Sequence, residues 1–242
     1  MASIGAVRYR YRTVGSTNDI ASGLAARGAP EGTLVVAAEQ TGGRGRFARP
    51  WVSPPGGLWF SVVLRPDVPP ARLPELAFVG AVGAARGIRA YPGVEAGVKW
   101  PNDLVYNGRK LGGILVEAGG PPQARSVVMG VGLNVNVAPG DLPPVATSLR
   151  EILGRQVVLE RVLEAVTGEL ETAYRGWLER GFAPILAGWR ELCTCLGLPV
   201  TVRTANGVWH GVAVDVDAGG ALLLAVGDRT QRILAGEVLF GE

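Results

Sequence analysis

The sequence predicts an α+β protein: a mixed sheet packed with helices over residues 1–195, followed by a small antiparallel β-barrel over 196–242. Three observations predict it. Short β-rich runs are mixed with helical periodicities up to Cys195. After Gly197 only brief β runs separated by glycine-containing turns remain. The chain has 242 residues, 48% of them hydrophobic, enough to bury one large core with a small appendage packed on it.

The elements follow in order. Tyr9, Tyr11 and Val14 alternate with arginines, as in an edge strand. Residues 17–26 follow the capping types Ser16 and Thr17 and stop before Gly28, which predicts a short helix. Residues 33–39 and 58–64 read as strands, joined by a Gly/Arg/Pro-rich loop of about 17 residues. Residues 72–90 carry helical spacing. Strands are expected near 97–100, 104–106, 110–117 and 126–134, with Asn107-Gly108 as a hairpin turn. The apolar positions from Leu159 to Trp177 make one face of a helix over 159–180, and another is expected over 184–195. The tail supplies β runs at 200–203, 208–214, 221–226 and 231–234.

Composition excludes several classes. A net charge of +3 is low for a strong nucleic-acid binder. No segment reaches the ~20 apolar residues of a membrane helix, and the N-terminus lacks the apolar core of a signal peptide. Cys193 and Cys195 are too close for an ordinary disulfide, and with one histidine, His210, they make no metal site. A reducing, cytoplasmic setting is expected. His210 reads as a strand-surface residue, and Trp177 and Trp189 as packing residues.

Four segments carry more than folding requires. Gly42-Gly43-Arg44-Gly45-Arg46 joins close-approaching backbone amides to guanidinium forks, a combination suited to phosphate or carboxylate. A flexible basic loop is the alternative for that segment, and it is not a Walker loop. Lys99-Trp100-Pro101-Asn102-Asp103, followed by Lys110-Leu111-Gly112-Gly113, brings an acid and a lysine to one hairpin. Salt-bridged hairpin residues or an Asp103 turn cap would also account for them. Gly130 and Gly132 interrupt a β run, which indicates either a ligand close to the backbone or a bulge. Ser16, Thr17 and Asn18 stand at a helix start, where they can cap the helix or meet a ligand.

Taken together and in this order, the segments resemble the biotin protein ligase family: STN at 16–18, GRGR at 43–46, KWPND at 99–103, KLGGIL at 110–115 and GVGLN at 130–134. The tail Ala235-Gly236-Glu237-Val238 resembles the C-terminal domain of that family. The likeness spans nearly the whole chain. Ala48 departs from it, standing where many members have glycine. Some members carry an N-terminal DNA-binding module; here the motifs begin at residue 16, so a monofunctional ligase without sequence-specific DNA binding is expected.

The resemblance implies a catalytic domain over 1–195 and two reactions. Biotin and ATP, with Mg²⁺, give biotinyl-adenylate; a lysine of a biotin carboxyl carrier protein then displaces AMP. It implies catalytic roles for Lys110, Asp103 and Arg46. Biotin is expected to meet Ser16, Thr17, Asn18, Gln40, Gly43, Arg44, Gly45, Arg46, Lys110, Gly113, Gly130 and Gly132. ATP is expected to meet Arg44, Arg46, Trp51, Lys99, Asn102, Lys110 and Asn134, with Asp103 a candidate Mg²⁺ ligand. The arginine loop is expected to close over the adenylate. A lipoate or octanoate ligase of the same superfamily and a nucleic-acid-binding protein are the alternatives. No membrane association is expected, and a homodimer is compatible with the chain.

Overall fold

Near-continuous apolar runs in the central strands make both faces of the sheet suitable for burial, and the fold uses the two faces differently. In a computed structural model, residues 3–119 and 126–240 are described; the extreme ends of the two expected domains, 1–2 and 241–242, lie outside them. Strands β1 (Arg8–Val14), β2 (Leu34–Gln40), β3 (Leu58–Leu64), β4 (Gly97–Lys99), β5 (Asp103–Tyr106), β6 (Arg109–Gly119) and β7 (Ser126–Leu133) form one sheet in the order β1-β2-β3-β7-β6-β5-β4. Only β1 and β2 pair in parallel. Helix α1 (Thr17–Ala26) makes their crossover, as a parallel connection requires. The sheet is therefore mixed, with β1 at one edge and β4 at the other.

Phe60, Val62, Val127, Met129, Val131 and Ile114 belong to the core on one face, where Ile114 and Met129 meet Gly80 of α2 (Glu75–Arg89). Helix α4 (Leu159–Arg180) packs on α2, and α5 (Ala183–Leu192) on both; Trp177 and Trp189 are fully buried there. Among the described helices only α1 packs on the opposite face, where its Ala21 and Ala25 cover Val35, Val63 and Val128. Beyond α1, this second face turns from valine to Ser61, Gly130, Gly132 and Gly113. Strand register puts Ser61 beside Gly130, and Gly132 beside Gly113.

The tail forms β8 (Pro199–Thr204), β9 (Gly207–Val216), β10 (Leu222–Val226), β11 (Arg229–Ile233) and β12 (Glu237–Phe240), in the order β11-β10-β9-β8-β12. The expected barrel is an open sheet, because β11 and β12 are edges that do not pair with each other. The first four residues of β11 are polar or charged and solvent-facing to varying degrees, so that edge needs no cover. Strand β12 was hidden in the sequence because of its four residues only Val238 is buried. The sheet's apolar face joins the main core through Val200, Val202, Leu222 and Leu224.

Other boundaries also shift. A 3₁₀ turn at Pro70–Arg72 precedes α2, which starts at Glu75 rather than 72. The last helix stops at Leu192, since Cys193 takes extended backbone and bridges Val98 of β4. A short helix α3 (Leu149–Leu153), capped by Ser148 accepting from the Glu151 N–H at 3.3 Å, lies in a stretch the periodicity left unassigned. Asn107 and Gly108 both take positive φ, 48° and 76°, as the hairpin turn demands. His210 is an exposed residue of β9.

Candidate active site

The uncovered half of the second sheet face is the floor of a cavity of about 270 Å³. The loop after β2 forms one wall and the segment 142–146 another, with Gly236 and Glu237 of the small sheet at the rim. Of the residues expected from sequence, Ser16, Thr17, Asn18, Gln40, Arg44, Gly45, Arg46, Trp51, Asn102, Asp103, Lys110, Gly113, Gly130, Gly132 and Asn134 all line it. Gly43 lies behind the loop, against Ser53 and the Trp51 carbonyl. Lys99 stands behind Asp103 and is largely buried.

The region over Gly130 is lined by neutral, tightly wired groups, with the Arg44 guanidinium, paired to Asp19 and Glu117, beside them. Ser16 occupies the helix N-cap position, yet its side chain makes no capping bond and is buried in the wall. The Thr17 N–H donates to Gln40 Oε1 at 2.8 Å, and the Thr17 hydroxyl lies 3.0 Å from the same oxygen. Gln40 Nε2 donates to Ser53 Oγ at 2.9 Å. Ser61, buried in β3, lies 2.8 Å from Thr17 Oγ1 and 2.6 Å from Asn18 Oδ1. A Cβ at Gly130 would sit 2.3 Å from Asn18 Oδ1, so this contact requires glycine.

One residue pair further along the strands, over Gly113 and Gly132, the cavity is charged. Asp103 Oδ1 accepts from Lys110 Nζ at 2.7 Å, and Lys99 Nζ is 3.3 Å from Oδ2. Lys110 Nζ also lies 5.0 Å from the centre of the Trp51 ring, a cation–π contact. Lys110 and Asp103 converge over Gly113: a Cβ there would lie 3.8 Å from both Lys110 Cε and Asp103 Oδ1. Trp51 Nε1 sits 2.7 Å from where a Gly132 Cβ would be. That indole nitrogen and Asn134 Oδ1 are buried without a hydrogen-bond partner, leaving one donor and one acceptor unmatched in the wall. Asn102 is held by its Nδ2 donating to the Ile114 carbonyl at 2.6 Å, and Asn134 by its Nδ2 donating to that of Thr147 at 3.0 Å.

The three arginines of the loop have different tethers. Arg44 forks onto Asp19 at 2.6 and 3.0 Å and onto Glu117 at 3.1 Å, and these bonds push its pKa upward. Half-buried Arg46 donates to the Gly236 carbonyl at 3.2 Å; burial pulls its pKa down, and nearby Asp103 opposes that. Arg49 pairs with Glu237. Between them Phe47 and Ala48 take positive φ, 57° and 54°, so the residue standing in the glycine place keeps a glycine-like backbone.

Sequence reasoning missed Ser61, Glu117, Asp19, Ser53 and the rim residues Gly236 and Glu237. Ser61 had a signal: it is the lone polar residue of LWFSVVL. Glu117 follows Gly113 and Leu115 at strand period on the cavity face.

Comparison with known proteins agrees with this geometry. Residues 10–134 match the biotin/lipoate A/B protein ligase family, and residues 195–241 match the biotin protein ligase C-terminal domain. The bifunctional ligase/repressor BirA of Bacillus subtilis is 38% identical over 237 residues, covering 96% of this chain and 73% of that protein. The biotin–[acetyl-CoA-carboxylase] ligase of Paracoccus denitrificans is 37% identical over 221 residues, covering 86% and 90%. Among solved structures, a biotin protein ligase from Aquifex aeolicus in complex with biotin and ATP superposes with a TM-score of 0.85 at 28% identity, covering 96% of this chain and 97% of that one.

Proposed function

This chain belongs to the biotin/lipoate A/B protein ligase family, and from that premise we propose how its residues divide the work of activating biotin with ATP and passing it to a carrier lysine. A biotin carboxylate oxygen bonds to the α-phosphorus of MgATP, the α–β bridging bond breaks, and pyrophosphate leaves. The carrier lysine nitrogen then attacks the acyl carbon of the adenylate, and AMP departs as the amide forms.

The observation that carries the division is the convergence of Lys110 and Asp103 over Gly113, one residue pair from the neutral network around Asn18. Two strand residues span about 7 Å, so a ureido ring beside Asn18 and Gln40 would send its carboxylate tail toward Lys110. Lys110 then bridges that carboxylate and the α-phosphate, offsetting the repulsion between two anions where charge builds in the transition state. Arg46 supports the phosphate side. Arg44, held by two carboxylates, serves instead as a wall of the biotin side. Trp51 Nε1 and Asn134 Oδ1 offer the nucleotide an unmatched donor and acceptor. When the acceptor lysine arrives, Asp103 orients it and takes its proton.

No group of three or more metal-ligating side chains exists among the described residues, and both Asp103 oxygens face lysines. Mg²⁺ is accordingly read as part of the nucleotide substrate, whose phosphates supply most of its ligands. The names of the relatives point to the biotin carrier of a carboxylase as acceptor. No helix among the described residues is long and apolar enough to cross a membrane. Both cysteines are free thiols, which supports a reducing, cytoplasmic setting. The longer helices α1, α2, α4 and α5 all pack on a sheet or on each other, so no sequence-specific DNA reading is assigned to them. The outer edge of β1 leaves room for a second copy, a homodimer that sedimentation velocity would register.

The test is incubation with biotin, labelled ATP and Mg²⁺. Labelled biotinyl-adenylate is expected, with lipoate and octanoate failing to compete. Acyl-adenylate formation with those acids in preference to biotin would favour the superfamily alternative.

A further inference from the structure

The neutral end of the cavity depends on a residue outside its wall. Glu117 of β6 accepts from Asn18 Nδ2 at 2.6 Å and from Arg44 Nε and Nη2 at 3.1 Å. An ionised carboxylate only accepts, so Asn18 must turn its nitrogen toward Glu117 and its oxygen away. That oxygen, an acceptor only, then receives the single proton of Ser61 at 2.6 Å. With its proton committed, Ser61 can only accept from Thr17, whose hydroxyl proton goes to Ser61 Oγ or Gln40 Oε1. Gln40 is oriented independently, because the Thr17 N–H fixes its oxygen. Its nitrogen faces Ser53, whose hydroxyl donates to the Trp51 carbonyl at 3.1 Å.

The result is a network in which Asn18 and Gln40 each have one orientation, the first set from Glu117 and the second from the Thr17 N–H. Asn18 and Gln40 would otherwise be ambiguous, because an amide fits its space equally well flipped. At the Asn18 end, nothing but Glu117 forces the choice.

We propose that Glu117 is a positioning residue for ligand recognition: it sets the donor–acceptor polarity of Asn18 and anchors Arg44, so that the cavity discriminates a head group carrying both N–H and C=O. The proposal rests on the biotin reading, since a ureido ring is such a head group. A site with fixed polarity rejects a mismatched ligand strongly, because its own buried groups would be left unpaired.

Two variants test it. Glu117→Gln keeps the shape, removes the charge and adds a donor that can meet Asn18 in either orientation. Ser61→Ala removes the donor at the other side of Asn18 and touches neither Glu117 nor Arg44. For each, the dissociation constant for biotin is measured by calorimetry, with KM for MgATP, kcat at saturating biotin and the thermal midpoint. Biotin binding weaker by about tenfold in Glu117→Gln is expected, with a smaller loss in Ser61→Ala, where Glu117 still sets Asn18, and with KM for MgATP and kcat within about twofold of wild type in both. Glu117→Asp, which keeps an acceptor-only group, should recover part of the loss. Unchanged biotin affinity in folded Glu117→Gln would overturn the proposal, as would parallel losses in biotin affinity, kcat and MgATP affinity. If the wild-type protein bound no biotin, the substrate reading itself would fall, and the inference with it.

Discussion

The two halves of the cavity solve opposite problems. Over Gly130 the groups on the floor are neutral and bonded to one another, and the charges beside them, Arg44 and Glu117, are already paired, so their geometry is settled before a ligand arrives. Over Gly113 the groups are charged, and they are held by stand-in partners: Lys110 by Asp103, and Arg46 by the Gly236 carbonyl. A neutral ligand end gains from fixed polarity, since each hydrogen bond is directional and an unmatched one is costly. An anionic reacting centre gains from cations that can exchange a weak partner for a stronger one as charge develops. The division teaches that recognition and activation here are built from different materials on the same sheet face.

The division can be broken most severely at Lys110. Lys110→Ala is expected to slow adenylate formation by ~10²–10³, measured as pyrophosphate release, while circular dichroism stays that of the folded protein. Biotin affinity should fall far less. Wild-type release from a folded variant would remove Lys110 from its role.

The neutral half is broken by Gly130→Ala, whose added carbon would press on Asn18 Oδ1. Biotin binding weaker by about tenfold is expected, with kcat at saturating biotin near wild type. A fall in kcat with affinity intact would mean that the two halves are not separate.

The arginines sharpen the comparison. Arg44 has two carboxylates, whereas Arg46 has one carbonyl, and Phe47 beside it is 66% exposed. Biotin with MgATP should slow cleavage after Arg46 by an Arg-specific protease several-fold, roughly the effect of ordering a loop, and change cleavage after Arg44 less. Fragment masses over time distinguish the two bonds, and equal protection at both would count against the asymmetry.

The smallest effect is at Ala48. Its positive φ costs about 1 kcal/mol that glycine avoids, so Ala48→Gly should raise the thermal midpoint by about 2–4 °C. A lowered midpoint would show that the chain's own residue suits this backbone better than glycine does.

Much of this architecture is legible in the sequence because it follows from short-range rules. The short apolar, β-rich runs of β3 and β7, the Asn107-Gly108 turn and the apolar stripe of α4 each fix an element locally. The candidate site was legible for a different reason: glycines in a β run and arginines among glycines are poor folding choices. What escaped was non-local. Ser61 and Glu117 are ordinary strand residues until the register carries them beside Asn18, which lies 43 and 99 positions away in sequence. The open small sheet escaped because β12 pairs with β8 rather than β11, and alternation within a strand says nothing about its partner. The helix end at Leu192 escaped because Cys193 is drawn off by a bridge to Val98 across the fold.

The rim residues Gly236 and Glu237 also have a thermodynamic consequence. Glu237 opens the last strand of the small sheet and Gly236 directly precedes it, yet they hold Arg49 and Arg46 of the loop over the large one. A ligand gripped by that loop therefore binds only when both sheets are folded and docked. By mass action, such a ligand at a hundred times its dissociation constant adds about 2.7 kcal/mol to the assembled form. Substrate thus acts as a clamp on the whole chain, and the small sheet, which contributes only rim to the cavity, inherits its stability from a molecule bound mainly by its neighbour.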